Sequence, residues 1–134
     1  MKSPPTVDTR LFLTLFLAES PSTKEKVRRK VEQLEAQKSL VPTIVLHEVY
    51  KFEYETIGAD VAALRTDSIV KSNFKILDLD TAIALSAARL RCRYRGLPTA
   101  DSIIAATAIE LKSNTVITDD PHFKEIGEIS VEWI

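Results

Sequence analysis

Four acidic positions, spread along the chain, sit where an ordinary globular domain would place something else. Asp8 closes the short run TVD at 6–8, and Asp119 with Asp120 closes TVITDD at 115–120. Asp101 opens an almost wholly apolar helical stretch. Glu48 interrupts a stripe of Ile44, Val45, Val49 and Phe52, whose spacing is that of a buried helical face. A buried carboxylate without a partner is rare and costly, so Glu48 calls for a cation, a metal or a proton. If the four positions converge, each carboxylate pair at about 6 Å repels by roughly 3 kcal/mol at an effective dielectric near 20. Several such pairs would consume most of a domain's margin of about 5–15 kcal/mol. A cluster of that kind persists when one member takes a proton or a hard cation fills it. Oxygen-only donors select Mg2+ or Mn2+ over zinc. Such a cation lowers the pKa of a coordinated water and neutralises charge developing on a phosphodiester, a hydrolysis that needs no histidine, cysteine or serine nucleophile.

Each acid also has an ordinary use. Asp8 and Asp101 stand where a helix N-cap belongs, with Thr9 able to share the first role. Glu48 could be held by a distant Lys or Arg, or lie on the rim of its stripe. Asp119, Asp120 and Pro121 suit a turn. Thr118, at the strand end, could hydrogen-bond and orient a neighbouring carboxylate. The coincidence of four such positions favours one shared divalent-metal site.

The elements that must position these acids alternate in type. Residues 6–8 read as a strand, followed by a helix carrying Leu11, Leu15 and Ala18 with Phe12 and Phe16 beside them. Ser22, with Glu25 three residues on, is the expected N-cap of a charged amphipathic helix over 24–38 that buries Val27, Val31 and Leu34. A short strand at 40–43 leads into helices over 43–56 and 59–72, and FKILD at 74–78 is a strand. An alanine-rich helix over 80–94 is stopped by Gly96 and Pro98. A helix over 99–112, a strand at 115–118 and a last strand at 129–133 complete the chain. Strands separated by helical segments pair in parallel through crossovers, which predicts a three-layer α/β/α domain over 1–134 with a central parallel sheet of four or five strands. Ligands in such sheets gather at the carboxyl ends of the strands, where Asp8, Asp119 and Asp120 fall.

A chain of 134 residues is the size of one domain. Its net charge of −1 lacks the basic footprint of a simple DNA-binding domain, so phosphate must be drawn by a metal or a local patch. The single cysteine, Cys92, excludes an internal disulfide and a cysteine-rich zinc site, and fits a reducing cytoplasm. No run approaches the roughly 18 apolar residues needed to cross a membrane. Residues 11–18 resemble the core of a signal peptide but are short, follow Asp8 and Arg10, and precede no small-residue cleavage site. Neither a nucleophile elbow nor a glycine-rich phosphate loop is present. His47 is turned about 100° from Glu48 around its helix. His122 follows Pro121 in a loop, and both histidines read as ordinary.

The segments TVDTRLFL at 6–13, TIVLHEVYKF at 43–52, RGLPTADSIIAATAIEL at 95–111 and VITDDPHF at 116–123 resemble the PIN-domain family, and within it the small VapC-type toxin ribonucleases. The third and fourth are the most specific, a D-x-x-I-A-A-x-A helix followed by a strand and T-x-D-x-x-F. The resemblance covers nearly the full length. It implies a Mg2+- or Mn2+-dependent endoribonuclease that hydrolyses RNA with a metal-activated water, forms a homodimer and is held in check by a cognate antitoxin. It carries the metal-ligand role to Asp8, Glu48 and Asp101, and the fourth acid to Asp120, with Asp119 as neighbour and alternative. Thr9 and Thr118 match small polar positions near the metal. Arg10 departs from the pattern, since many relatives have Asn or Ser there. Arg89, Arg91, Arg93 and Arg95 form a basic run suited either to RNA or to a solvated helix end. Lys24, Lys26, Arg28, Arg29 and Lys30 read as a solvated face.

Two other functions stay open on the sequence. The fold could serve as a non-catalytic binding or assembly module, with apolar surface for a partner on the 11–17 and 24–38 helices. A receiver-like phosphoacceptor would use Asp78 or Asp80 at the end of the third strand, together with a later Lys that does not stand out.

Overall fold

Thr6 and Val7 are too few to hold a strand by themselves, yet they form the centre of the sheet. The computed structural model describes residues 3–134. In it β1 (Thr6–Val7) lies between β2 (Leu40–Pro42) and β4 (Thr115–Ile117), with Thr6 opposite Leu40 and Val116, and Val7 opposite Ile117. β3 (Lys75–Leu77) and β5 (Ser130–Glu132) flank them, giving the order β3-β2-β1-β4-β5 with every pairing parallel. This is the expected α/β class, with five parallel strands under crossover helices. Thr6, Val7, Val41, Val116 and Ile117 are fully buried, as the inner strands of a sheet covered on both faces must be.

Helices fill the crossovers: α1 (Thr9–Leu17), α2 (Pro21–Ala36), α3 (Thr43–Thr56), α4 (Ala59–Val70), α5 (Thr81–Arg93) and α6 (Thr99–Glu110). α6 matters most for the site. Every residue from Asp101 to Ala108 is buried, and the fully enclosed Ala105, Ala106 and Ala108 let it lie close against β1, β2 and β4. Leu11 and Phe12 anchor α1 in the core, Phe12 meeting Phe74 edge to face at 5.5 Å. The segment resembling a signal peptide is therefore a folded core helix. No helix among the described residues is long and apolar enough to cross a membrane.

Two local expectations need correction. α2 begins two residues early, with Ser20 at the N-cap and Pro21 at the first helical position, rather than with Ser22 as the cap. Proline's fixed φ suits that position and moves the start forward. Glu25 pairs with Arg28 and Arg29 instead of closing a capping box. On α3 the buried line is Val45, Val49 and Glu53, while Phe52 is exposed and Glu48 lies half-buried on the neighbouring line. The stripe read from sequence had merged two adjacent rows of the helix.

Glu53 is thus the wholly buried acid of α3. Nη1 of Arg65 donates to both of its carboxylate oxygens at 2.9 Å, and the same guanidinium lies 4.9 Å from the centre of the Phe16 ring. Its backbone carbonyl accepts from the N–H groups of Ile57 and Gly58, closing the helix. Gly58 then turns the chain into α4 with φ 146° and ψ 172°, a conformation essentially reserved for glycine.

Candidate metal centre

The strand register builds the first half of the site. Because Val7 faces Ile117, the next residues, Asp8 and Thr118, meet just beyond the sheet, with the Asp8 N–H bonded to the Ile117 carbonyl at 3.1 Å. The Thr118 hydroxyl donates to Oδ2 of Asp8 at 2.6 Å, and the Thr9 N–H donates to Oδ1 at 2.8 Å as α1 begins. Asp8 is therefore a helix cap as well as an inward-facing acid. Burial pushes its carboxyl up to about 6, against the pull of those two hydrogen bonds, and the charges of Glu48 and Asp120 raise it further.

Glu48 comes in from α3, and its Oε1 accepts the hydroxyl of Thr9, the residue after Asp8, at 2.6 Å. Asp101 enters from the first turn of α6. Burial lifts its carboxyl to about 7, followed by the charges of Asp120, Asp8 and Glu48 in that order, with His122 opposing. Asp120 ends the loop after β4. Its N–H donates to the Thr118 hydroxyl at 3.0 Å, and its Oδ1 caps the 3₁₀ turn Pro121–Glu125 through the His122 N–H at 2.9 Å. Asp8, Glu48, Asp101 and Asp120 thus come together from four distant segments, each close enough to perturb another's charge.

Asp119 goes elsewhere. Its Oδ1 accepts Nε of Arg10 at 2.8 Å and its Oδ2 accepts Nη2 at 3.4 Å, which turns the carboxylate toward the rim. His122, read from sequence as ordinary, stands instead at the edge of the cluster. Its Nδ1 lies 2.7 Å from Oδ1 of Asp120 and 3.6 Å from Oδ2 of Asp101, and the bond to Asp120 raises its pKa. Ligand atoms of Asp101, Asp120 and His122 lie within 4.8 Å of one another. The readable signal was the Asp-Pro-His spacing, since an Asp at a turn commonly takes the N–H two residues on.

Other candidates lie outside this cluster. Asp80 caps α5 by accepting the Ile83 N–H at 2.8 Å, and Asp78 is exposed at the end of the edge strand β3. α5 stops at Arg93, so Arg95 shares no helical face with Arg91. Arg91 donates to the Leu97 carbonyl and Arg93 pairs with Glu128, which leaves the arginine run committed in part to structure. His47 is exposed on α3, beside a groove of about 400 Å³ lined in part by Thr9, Leu13, Ile44 and Phe52. The buried residues of α2, Val27 and Leu34, face the core, and several large exposed apolar side chains, Tyr50, Phe52, Tyr54, Ile57 and Leu64 among them, lie on or near α3 and α4.

The donor chemistry fits a hard divalent ion. Every acid offers oxygen, two carboxyls are held far above their ordinary range, and hydroxyls orient two of the four. A cation in the pocket would offset the repulsion that burial magnifies.

Known proteins share this architecture. A VapBC2 complex from Rickettsia felis, bound to promoter DNA, superposes with a TM-score of 0.75 at 18% identity, covering 96% of each chain. VapC20 of Mycobacterium tuberculosis, described as a sarcin-ricin loop cleaving toxin, gives 0.72 at 18% identity over 90% of this chain and 93% of its own. A toxin–antitoxin complex from Klebsiella pneumoniae gives 0.65 at 23% identity over 93% and 94%. No curated protein matches the chain significantly in sequence. At these identities the solved structures speak for the fold, and the sequence itself matches the PIN domain model across residues 6–129. Acids at the carboxyl ends of β1 and β4, brought together by a parallel sheet and by α3 and α6, are thus features of a chain that belongs to the PIN domain family.

Proposed function

We propose that this chain is a Mg2+- or Mn2+-dependent endoribonuclease, the toxin of a toxin–antitoxin pair, with Asp8, Glu48, Asp101 and Asp120 as the residues that hold the cation. The observation that carries the reading is the clustering of those four carboxylates near enough to act on one another electrostatically, with Asp8 lifted to about 6 and Asp101 to about 7. Bound there, the cation would supply a Lewis acid that lowers the pKa of a water and neutralises charge on a phosphodiester.

The chain's own residues set the terms. Thr118 fixes Asp8, and Thr9 fixes Glu48, so both acids are oriented before any ligand arrives. The closely packed α6 excludes water from behind Asp101. Near neutral pH that acid is only partly ionised in the cation-free protein, and cation binding competes with its proton. Asp119, turned to Arg10, is assigned no ligand role.

Support for the substrate and partners comes from the structural relatives, one described as cleaving the sarcin-ricin loop and others solved as toxin–antitoxin or VapBC complexes. An antitoxin and a second copy of the chain would cover the apolar surface that α3 and α4 leave bare. An RNA substrate and the lone, exposed Cys92 support a cytoplasmic protein whose residues 1–134 act as one domain. The test is cleavage of structured and single-stranded RNA with Mn2+, by the wild type and by Asp101→Asn. Cleavage lost in the variant and in chelator supports the reading. RNA left intact by the wild type in Mn2+ would return the protein to the class of non-catalytic modules.

A further inference from the structure

Arg10 lies two residues after Asp8, in the first turn of α1, and its partner Asp119 immediately precedes Asp120. The ion pair therefore joins two of the four segments that deliver the acids. Asp8 and Asp120 both act on the guanidinium electrostatically. The other described Lys and Arg ion pairs are formed with Glu25, Glu32, Glu53, Glu55, Asp67, Glu128 and Glu132, none of which belongs to the acid cluster or adjoins it in sequence.

Stability is a weak reason for this arrangement, because exposed ion pairs contribute little. The Arg10 side chain is 53% exposed. Asp119 engages one N–H on Nε and one on Nη2, out of the five donors a guanidinium carries. The remaining three, including both on Nη1, are free of Asp119 and belong to a fork shaped for phosphate. The pocket also needs such a cation. Four carboxylates against one divalent ion leave it net negative, and the whole molecule carries −1, so nothing global draws a polyanion toward it.

We propose that Arg10, held in place by Asp119, binds a backbone phosphate of the RNA strand at the rim of the acidic pocket and sets the strand's register there. This rests on the ribonuclease reading and adds to it a substrate-binding residue outside the acid set.

The experiment compares wild type, Arg10→Ala and Arg10→Lys in two assays. The first is steady-state RNA cleavage in Mn2+. The second is binding of a fluorescein-labelled oligoribonucleotide in EDTA, titrated with KCl. Arg10→Ala should raise KM about tenfold while kcat stays within about threefold, and should flatten the log K against log salt slope by about 0.7, one phosphate contact on a single strand. Arg10→Lys should restore the slope and only part of the KM, because it keeps the charge and loses the fork. The melting temperature and Mn2+ affinity of both variants should match wild type. Unchanged KM and salt slope in Arg10→Ala overturn the proposal. So does a loss confined to melting temperature or Mn2+ affinity, which would make Arg10 a brace for the acids. If the wild type cleaves no RNA, the ribonuclease reading fails by itself, while the EDTA binding assay still decides whether Arg10 meets phosphate.

Discussion

The hydroxyl of Thr118 donates a hydrogen bond to Asp8 across the β1–β4 boundary at 2.6 Å, and in the same position accepts one from the N–H of Asp120. One side chain therefore fixes an acid on each of two segments more than a hundred residues apart. Thr118→Val should keep the shape and lose both bonds. We expect a 10–100-fold weaker Mn2+ affinity, the usual effect of removing a group that orients a ligand. Stability should fall by about 1–3 kcal/mol because the buried partners are left unsatisfied. Thr118→Ser should retain most of both. Mn2+ titration calorimetry and urea melts read the two quantities.

Cation-free protein should lose stability as the pH rises. Asp8 and Asp101 bind a proton more tightly folded than unfolded, so their contribution is complete below the ordinary value of 3.8 and disappears as pH climbs through about 6 and about 7. For the deeply buried Asp8 alone the change is on the order of 3 kcal/mol. The chelated protein should melt roughly 5–10 °C lower at pH 7.5 than at pH 5. Saturating Mn2+ at pH 7.5 should recover most of the difference. An Asp8→Asn, Asp101→Asn double variant should show neither effect. A flat melting profile in the wild type would remove the case for a strained acidic pocket.

Asp119 and Asp120 should behave as opposites. Asp120→Asn is expected to cut Mn2+ affinity at least tenfold and abolish cleavage. Asp119→Asn should leave Mn2+ affinity within about twofold, since its carboxylate faces Arg10. Equal losses in the two variants would show that Asp119 swings into the pocket when the cation binds.

His122 sits close enough to Asp120 and Asp101 to compete with a cation when protonated, and its pKa is raised by the Asp120 hydrogen bond. His122→Ala should therefore bind Mn2+ several-fold more tightly than wild type at pH 6 and equally at pH 8.5. Weaker binding by the variant at both pH values would make the imidazole a ligand.

The Glu53–Arg65 pair is a structural device, not a chemical one. Arg65→Met should cost about 3 kcal/mol, the low end for stranding a buried charge, because Arg65 itself is partly exposed. Glu53→Leu combined with Arg65→Met should restore much of the loss. Mn2+ affinity of the folded fraction should not change in either.

How far the sequence could be read follows from what each residue depends on. The position of Asp8 and Asp120 past the strand ends was legible from the alternation of strands and helices, and strand ends are where ligands collect in a parallel sheet. The position of Asp101 was legible because an acid opening so apolar a helix is conspicuous. Glu48 was found for a reason only half right: α3 buries Val45, Val49 and Glu53, and a one-row error in the helical face put Glu48 in the core rather than on the rim. Glu53 went unseen because its partner, Arg65, lies on another helix, and side-chain pairing across a turn leaves no periodic trace. The different partners of Asp119 and Asp120 were likewise hidden. Adjacent residues with the same side chain are separated only by where the backbone turns them, and that is set by the Thr118 hydroxyl and the Arg10 fork.

The order in which the chain emerges during synthesis gives the central position of β1 a temporal meaning. Thr6 and Val7 are made well before β4, and one flank of their strand waits for it, more than a hundred residues later. Such distant pairing is slow to close. A nascent polypeptide carrying Asp8, Glu48 and even Asp101 still lacks the segment that aligns them, so the acid cluster cannot assemble until Thr118 and Asp120 have left the exit tunnel.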